Sequence, residues 1–500
     1  MNINKEILLI ASLAIPLVFS ILIWVVGGAK KTKPLYTVHA LAAVMTSAAG
    51  LMSIQFASKG ETITALNDFI FIDPVGAVFI AIISIVGLLT NLYSIKYISW
   101  ELESNEIEFR DARLFFSLCH LFIFTMLLSV MSNNIVLMWV AVEATTLSSV
   151  FLVSLYRKKS SVEGGWKYIV ICSIGLAFAL YGTILLYGSS LRIIGNAHEA
   201  MLWTSLAMHG GELNPDVMKI VFVFFLIGYG TKAGLAPMHT WLPDAHAEGP
   251  APASALLSAV LLKCAMAAII RFYTVAVLSP ETLAFVKTCL MSVGLFSIVI
   301  AALFILKQRD IKRMFAYSST ENLGIISVAM AFGGKLGLFA MFFHVMNHSL
   351  TKSLAFCTSG NIQHIHGTRD MSKMGGLFKT APVTAVLLAI AIFSLVGLPP
   401  MAIFTSEFYA IMAGVQAGDY LAVAILFVGL GIVFYGLVSH FNRIAFGRKP
   451  KNIKNPGEVS FAANLPLLAL AVLVCTIGIF PPEWWTALLN NAVAEILQNP

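Results

Sequence analysis

The residues that invite a chemical reading are acids, bases and imidazoles stranded in otherwise oil-like sequence. Lys232 follows the apolar run 220–227. It sits in Gly-Tyr-Gly-Thr-Lys-Ala-Gly-Leu-Ala-Pro-Met-His-Thr-Trp-Leu-Pro-Asp-Ala-His-Ala-Glu-Gly-Pro-Ala-Pro, residues 228–252. A cation at the bilayer centre costs at least about 2.5 to 3.5 kcal/mol on insertion scales, so a Lys kept there marks a functional site. Gly234, Pro237 and Pro243 then interrupt the helix. Backbone freed at membrane depth is tolerable only inside protein or beside water. A charge beside a broken helix describes an ion path; the competing reading is a Lys that snorkels or pairs structurally.

Other groups of the same kind follow this pattern. Glu143 lies deep in the apolar run 134–156, and Lys263 lies halfway through 253–278. A carboxyl such as Glu143 ionises beside a cation and stays neutral without one, which is what a proton carrier requires. His344, His348 and Lys352 are spaced by four, so they form a ladder about 12 Å long on one helix face. Asn347 and Thr351 beside them are suited to holding water. Glu407 follows Gly-Leu-Pro-Pro-Met at 397–401, which echoes Gly-Leu-Ala-Pro-Met at 234–238 with an offset of 163 residues. Proline-interrupted spans in both halves of a chain point to a transporter built from internal repeats. Glu321 stands near the start of its span, and Arg271, beside Tyr273, is placed to snorkel to the interface.

The elements that must hold these groups are membrane helices. Apolar residues are 58% of the 500 and charged residues 11%, which no soluble domain matches. The apolar runs divide into about fourteen spans of roughly 20 residues each. The first, Glu6 to Val26, reads as a retained span, too long for a signal peptide. The net charge of +7 sits in short connections, so it is an orientation signal that excludes a nucleic-acid reading. The odd-numbered connections, with 239–251 among them, carry 22 Lys and Arg; the even ones and the termini carry 6. Odd connections therefore face the cytoplasm, and both termini lie on the outer face of the cell membrane. Residues 191–215 read as an outer amphipathic element with Trp203 at the interface. The six cysteines stand singly, so no iron–sulfur or zinc centre, and no cofactor of any kind, is expected.

Over residues 70–445 the chain resembles the antiporter-like proton-pumping subunits shared by respiratory complex I, Mrp cation/proton antiporters and group 4 membrane-bound hydrogenases. The signature that carries the resemblance is Lys-Ala-Gly-Leu-Ala-Pro-Met-His-Thr-Trp-Leu-Pro-Asp-Ala-His-Ala-Glu-Gly-Pro-Ala-Pro from Lys232. Asn-His-Ser-Leu-Thr-Lys-Ser-Leu-Ala-Phe from Asn347 is most similar to the hydrogenase-4 component F branch. The resemblance implies an all-α polytopic fold with two inverted five-helix repeats and broken helices at spans seven and twelve. The divisions are 1–111 (spans one to three), 112–280 (first repeat), 281–445 (second repeat) and 446–500 (C-terminal helix).

It also implies a proton path. A Glu143–Lys232 pair, central Lys263 and terminal Glu407 match the family pattern, and His344, His348 and Lys352 match its branch with a titratable span eleven. His239, Asp244 and His246, with Glu248, are expected at proton entry or coupling. Two charges about 4 Å apart interact by roughly 4 kcal/mol at an effective dielectric of 20. Moving a proton across the membrane costs about 2.3 kcal/mol per 100 mV, so such a pair is strong enough to couple. The expected partners are other membrane subunits and a peripheral hydrogenase-like or dehydrogenase-like arm, which would hold the redox centres. The alternatives are a subunit of an Mrp-type Na⁺/H⁺ antiporter and a free-standing secondary transporter.

Overall fold

The computed structural model describes residues 5–29 and 31–498. Its helices run in the order α1 (Lys5–Val26), α2 (Thr32–Ala57), α3 (Pro74–Glu103), α4 (Phe109–Met131), α5 (Ile135–Val153), α6 (Lys159–Ile194) and α7 (Trp203–His209). Next come α8 (Pro215–Ala233), α9 (Trp241–Glu248), α10 (Ala251–Leu256), α11 (Leu262–Ala276), α12 (Pro280–Ile305), α13 (Ile311–Phe332) and α14 (Gly334–His366). The chain closes with α15 (Leu377–Thr380), α16 (Pro382–Leu395), α17 (Ala402–Ala417), α18 (Tyr420–Phe446), α19 (Phe461–Ile479) and α20 (Glu483–Gln498). Among the described residues, 11 helical stretches are long and apolar enough to cross a membrane. The chain is a multi-pass membrane protein.

Helix ends follow local chemistry. Asp73 caps α3 by accepting from the Gly76 N–H at 2.7 Å, with Pro74 in the first turn, where its missing N–H costs nothing. Asn134 caps α5, Asn214 caps α8 and Asp310 caps α13 in the same manner. A two-stranded hairpin, β1 (Ile63–Ala65) with β2 (Ile70–Ile72), joins α2 to α3. Three-residue strands give too short a pattern for a sequence reading to separate them from a loop.

Helix α14 runs through the middle, packed by α3, α10, α13, α16, α17 and α19. Residues 337–362 of α14 are almost all buried, which is why this helix can carry Asn, His, Lys, Ser and Thr without meeting lipid. The outward flanks of α5 and α6 present Val140, Leu147, Phe151, Ile174, Phe178 and Ile184, an apolar belt suited to lipid or to another membrane protein.

Both predicted breaks are present. Helix α8 stops at Gly234, whose φ of 83° is the left-handed conformation glycine adopts without a Cβ penalty. The freed backbone is satisfied within the protein: Ala236 N–H donates to Ser297 Oγ at 2.9 Å, and Trp241 Nε1 donates to the Thr231 carbonyl at 2.8 Å. The second break separates α16 from α17, where Asn347 Nδ2 donates to the Ala402 carbonyl at 2.8 Å. A third irregularity was not legible in the sequence: a π-turn at Leu257–Leu261 lies between α10 and α11.

Three local expectations need correction. Residues 241–248, read as part of a loop, form α9, because Trp241, Leu242 and Ala245 bury themselves in the core. Trp203 is no interfacial anchor; it is 3% exposed, and its Nε1 donates to the Arg271 carbonyl at 2.7 Å. Arg271 does not snorkel. It is buried in a two-bond ion pair with Asp73, its Nη1 lies 3.8 Å from Glu495, and its guanidinium lies over the rings of Phe71 and Trp203.

Candidate functional site

The site is a chain of buried acids and bases, assembled from the three interrupted helices and from α5, α6, α13 and α14. It begins on α5. Glu143 accepts a hydrogen bond from Ser173 Oγ of α6 at 2.6 Å and one from Thr146 Oγ1, a turn along its own helix, at 3.4 Å. Lys232, in the last turn of α8, donates to that same Thr146 oxygen at 2.7 Å and to the Tyr168 hydroxyl at 2.7 Å. The expected direct pair is therefore bridged: N–H to hydroxyl, hydroxyl to carboxylate. Tyr168 of α6 is the other partner of Lys232, its ring centroid 4.7 Å from the Lys232 nitrogen. Lys232 is fully buried, and Glu143 is only partly so.

The next cation is Lys263. It stands just past the π-turn, and its Nζ donates to the Ser258 carbonyl inside that turn at 2.7 Å. A π-turn loosens the helical ladder, and such turns recur at functional sites. Cys264 interacts electrostatically with both Lys232 and Lys263, so the two cations flank one position. Lys263 in turn interacts with His344, His348 and Lys352 of α14. Within α14 the His344 and His348 rings stack with centroids 6.1 Å apart.

Beyond the ladder the line reaches α13 and α17. His344 uses both nitrogens, with Ser406 Oγ at 2.9 Å and Asn322 Oδ1 at 3.0 Å. Lys352 donates to the Phe315 carbonyl at 2.7 Å and interacts with Glu321. Glu321 accepts from Asn322 Nδ2 at 2.5 Å and interacts with Glu407. Glu407 lies against Gly397 of the second break, so close that a Cβ there would sit 2.0 Å from its Oε2. Both nitrogens of His348, Oε1 of Glu321 and Oε1 of Glu407 are buried without a protein partner. Buried polar atoms need partners, so these are places where bound water would continue the line.

The expected entry residues separate into two groups. His239 and Asp244 line one cavity of about 350 Å³ together with Arg313 and Tyr317. Asp244 is held there by ion pairs to Arg313 and, at 3.1 Å, to Lys167. His246 lies elsewhere, fully buried, stacked on Phe356 at 4.9 Å and within the electrostatic reach of Lys352, Lys312 and Lys263. Glu248 pairs with Arg369 at 3.2 Å.

Sequence reasoning missed the connecting groups. Thr146, Tyr168, Ser173, Asn322 and Ser406 are ordinary residues of membrane helices until a neighbour gives them a role. The run Ser318, Ser319, Thr320, Glu321, Asn322, buried throughout, was the available signal that α13 faces protein on this side.

The chain is similar to several known proteins. The family described as NADH:quinone oxidoreductase/Mrp antiporter, TM, matches residues 132–433. A hydrogenase-4 component F homolog of Methylacidiphilum infernorum (isolate V4) is 40% identical over 423 residues, 84% of this chain and 88% of that one. The Na(+)/H(+) antiporter subunit A1 of Staphylococcus aureus (strain JH9) is 30% identical over 460 residues, 86% of this chain but 54% of that longer protein. Among solved structures, a chain of the Mrp complex from Dietzia sp. DQ12-45-1b superposes with a TM-score of 0.87 at 20% identity, covering 99% of this chain and 98% of that one.

Proposed function

The chain belongs to the NADH:quinone oxidoreductase/Mrp antiporter membrane family, and from that premise we propose that its buried acid–base line carries protons through a redox-driven complex of the hydrogenase-4 kind. It is an antiporter-like subunit of a membrane-bound assembly. The observation that carries the proposal is the continuity of the line: Glu143, Thr146, Lys232, Lys263, His348 and His344, Lys352, Glu321, Glu407. From Glu143 to Lys232 and from Lys263 to Glu407 each is in bonding or electrostatic reach of the next, and Cys264 is within reach of both Lys232 and Lys263 between the two runs.

In this reading a redox step in a partner subunit draws Glu143 off the Thr146 bridge. Lys232 then has no counter-charge and gives its proton toward Lys263; one N–H bond breaks as another forms. The histidines pass the charge to Lys352, and Glu321 passes it to Glu407. Only N–H and O–H bonds change. Glu143, half-buried on an apolar flank, supports a neighbouring membrane subunit covering that flank, since a carboxylate facing lipid is costly. The basic connections support a cytoplasmic-membrane orientation with both termini outside, and α1 to α19 make fourteen crossings when each broken helix counts once. The echo between 234–238 and 397–401 supports two repeats over 112–280 and 281–445.

The test uses the intact complex in proteoliposomes. Lys232→Ala and Glu143→Ala are expected to abolish redox-driven acidification while the complex still assembles and transfers electrons. Normal acidification by either variant removes that residue from the path.

A further inference from the structure

The π-turn before Lys263 redirects one backbone acceptor. In an α-helix the Leu262 N–H would bond the Ser258 carbonyl, four residues back. Here it reaches to the Leu257 carbonyl, and the Ser258 carbonyl accepts from Lys263 Nζ at 2.7 Å. The wider turn thus gives a buried backbone oxygen to a buried cation, which is costly to hold in a dry interior without such acceptors.

The side chain of the same serine faces α13. Ser258 Oγ lies 2.8 Å from Ser319 Oγ, and both residues are fully buried. Ser319 Oγ donates in turn to the Phe315 carbonyl, one turn back along α13, at 3.1 Å. A hydroxyl has one hydrogen, and that of Ser319 is committed to a carbonyl, so Ser258 is the donor between the two serines. The Phe315 carbonyl also accepts from Lys352 Nζ at 2.7 Å. Two hydroxyls and two carbonyls therefore form one row, with the Lys263 amine bonded at one end and the Lys352 amine at the other. Hydrogen bonds linked in this way polarise one another in a low dielectric. His348 is within electrostatic reach of both amines, and both its ring nitrogens are buried without a protein partner.

We propose that Ser258 and Ser319 are positioning residues: their hydroxyl pair locks the π-turn to α13 and so fixes the spacing of the Lys263 and Lys352 amines. The inference rests on the proton-carrying reading of the central line. The serines exchange no proton, and no bond to hydrogen changes on them. Their contribution is placement, since a shift of about 1 Å can cost a reacting pair on the order of 100-fold in rate.

The test is redox-driven proton uptake by the intact complex in proteoliposomes, with electron transfer measured on the same sample. Ser258→Ala and Ser319→Ala each remove one hydroxyl and leave both carbonyls. Uptake is expected to fall about fivefold in either variant, the effect of roughly 1 kcal/mol on a barrier, while electron transfer continues. Ser258→Thr and Ser319→Thr keep the hydroxyl and are expected to restore uptake. Two hydroxyls acting as one bridge lose it once, so the variant carrying both Ser258→Ala and Ser319→Ala is expected to fall no further than either alone. Unchanged uptake in the alanine variants overturns the proposal. Losses that multiply in the double variant, or equal losses with alanine and threonine, overturn it too, because they mark separate packing roles. If one alanine variant fails to assemble, the other reads the same bridge, with the same expected loss and the same contrary result. Lys263→Ala run in parallel separates the two readings. Its loss of uptake beside normal serine variants overturns the bridge alone, and normal uptake in Lys263→Ala overturns the central line as well.

Discussion

A single hydroxyl links the first two ionisable groups of the proposed path. Thr146 stands between Glu143 and Lys232, accepting from Lys232 and donating to Glu143. Thr146→Val keeps shape and removes that bridge. Redox-driven acidification in proteoliposomes is expected to slow about tenfold, a barrier change of roughly 1.4 kcal/mol, while Thr146→Ser stays near the unsubstituted rate. Equal rates for all three would mean that the carboxylate and the amine communicate some other way. The contrast with Lys232 shows what a sequence can disclose at this scale. A Lys in oil announces itself because its cost must be repaid, but a Thr in oil costs little and bonds its own helix. Its role exists only once α5 and α8 are packed together.

At the scale of elements, the anchors and the breaks give separate predictions. Asp73 caps α3 and pairs with Arg271 of α11, with Glu495 of α20 beside them, so one cluster ties three helices. Burial works against the Asp73 charge, but Arg271 outweighs it and holds the carboxyl below its ordinary value. A depressed carboxylate adds stability above the unfolded value, near pH 4, and loses it as the pH falls through the folded one. Asp73→Asn is expected to cost about 3 to 5 kcal/mol at neutral pH, seen as a lower Tm in detergent. The gap to the unsubstituted protein should narrow below about pH 4. A Tm unaffected at neutral pH would show that the cluster anchors nothing. The second break makes a different claim. Gly397 has a φ of 61° and touches Glu407, so Gly397→Ala must displace the carboxyl or strain the turn. Proton pumping is expected to fall as far as in Glu407→Ala, measured on the same assembled complex; full activity would place Glu407 off the path. Pro and Gly made both breaks legible in advance. The π-turn before Lys263 was not, because its residues, Leu257 to Leu261, suit an ordinary helix equally well.

In the proposed function the whole molecule is a conduit whose direction and drive come from its neighbours. Its membrane character and its broken helices could be read from apolar runs and punctuation, since lipid leaves a chain few choices of backbone. The order of the ionisable groups could not, because α13 meets α9, and α14 meets α10 and the π-turn, only through tertiary packing, which also brings Glu321 within electrostatic reach of Lys352. The central claim is that protons travel through this packed interior. The most direct measurement is the number of protons translocated per electron by the intact complex carrying Lys263→Ala, the one substitution that cuts the line at its middle. The account predicts assembled complex, continuing electron transfer and no translocated protons through this subunit. An unchanged proton-to-electron ratio would contradict it.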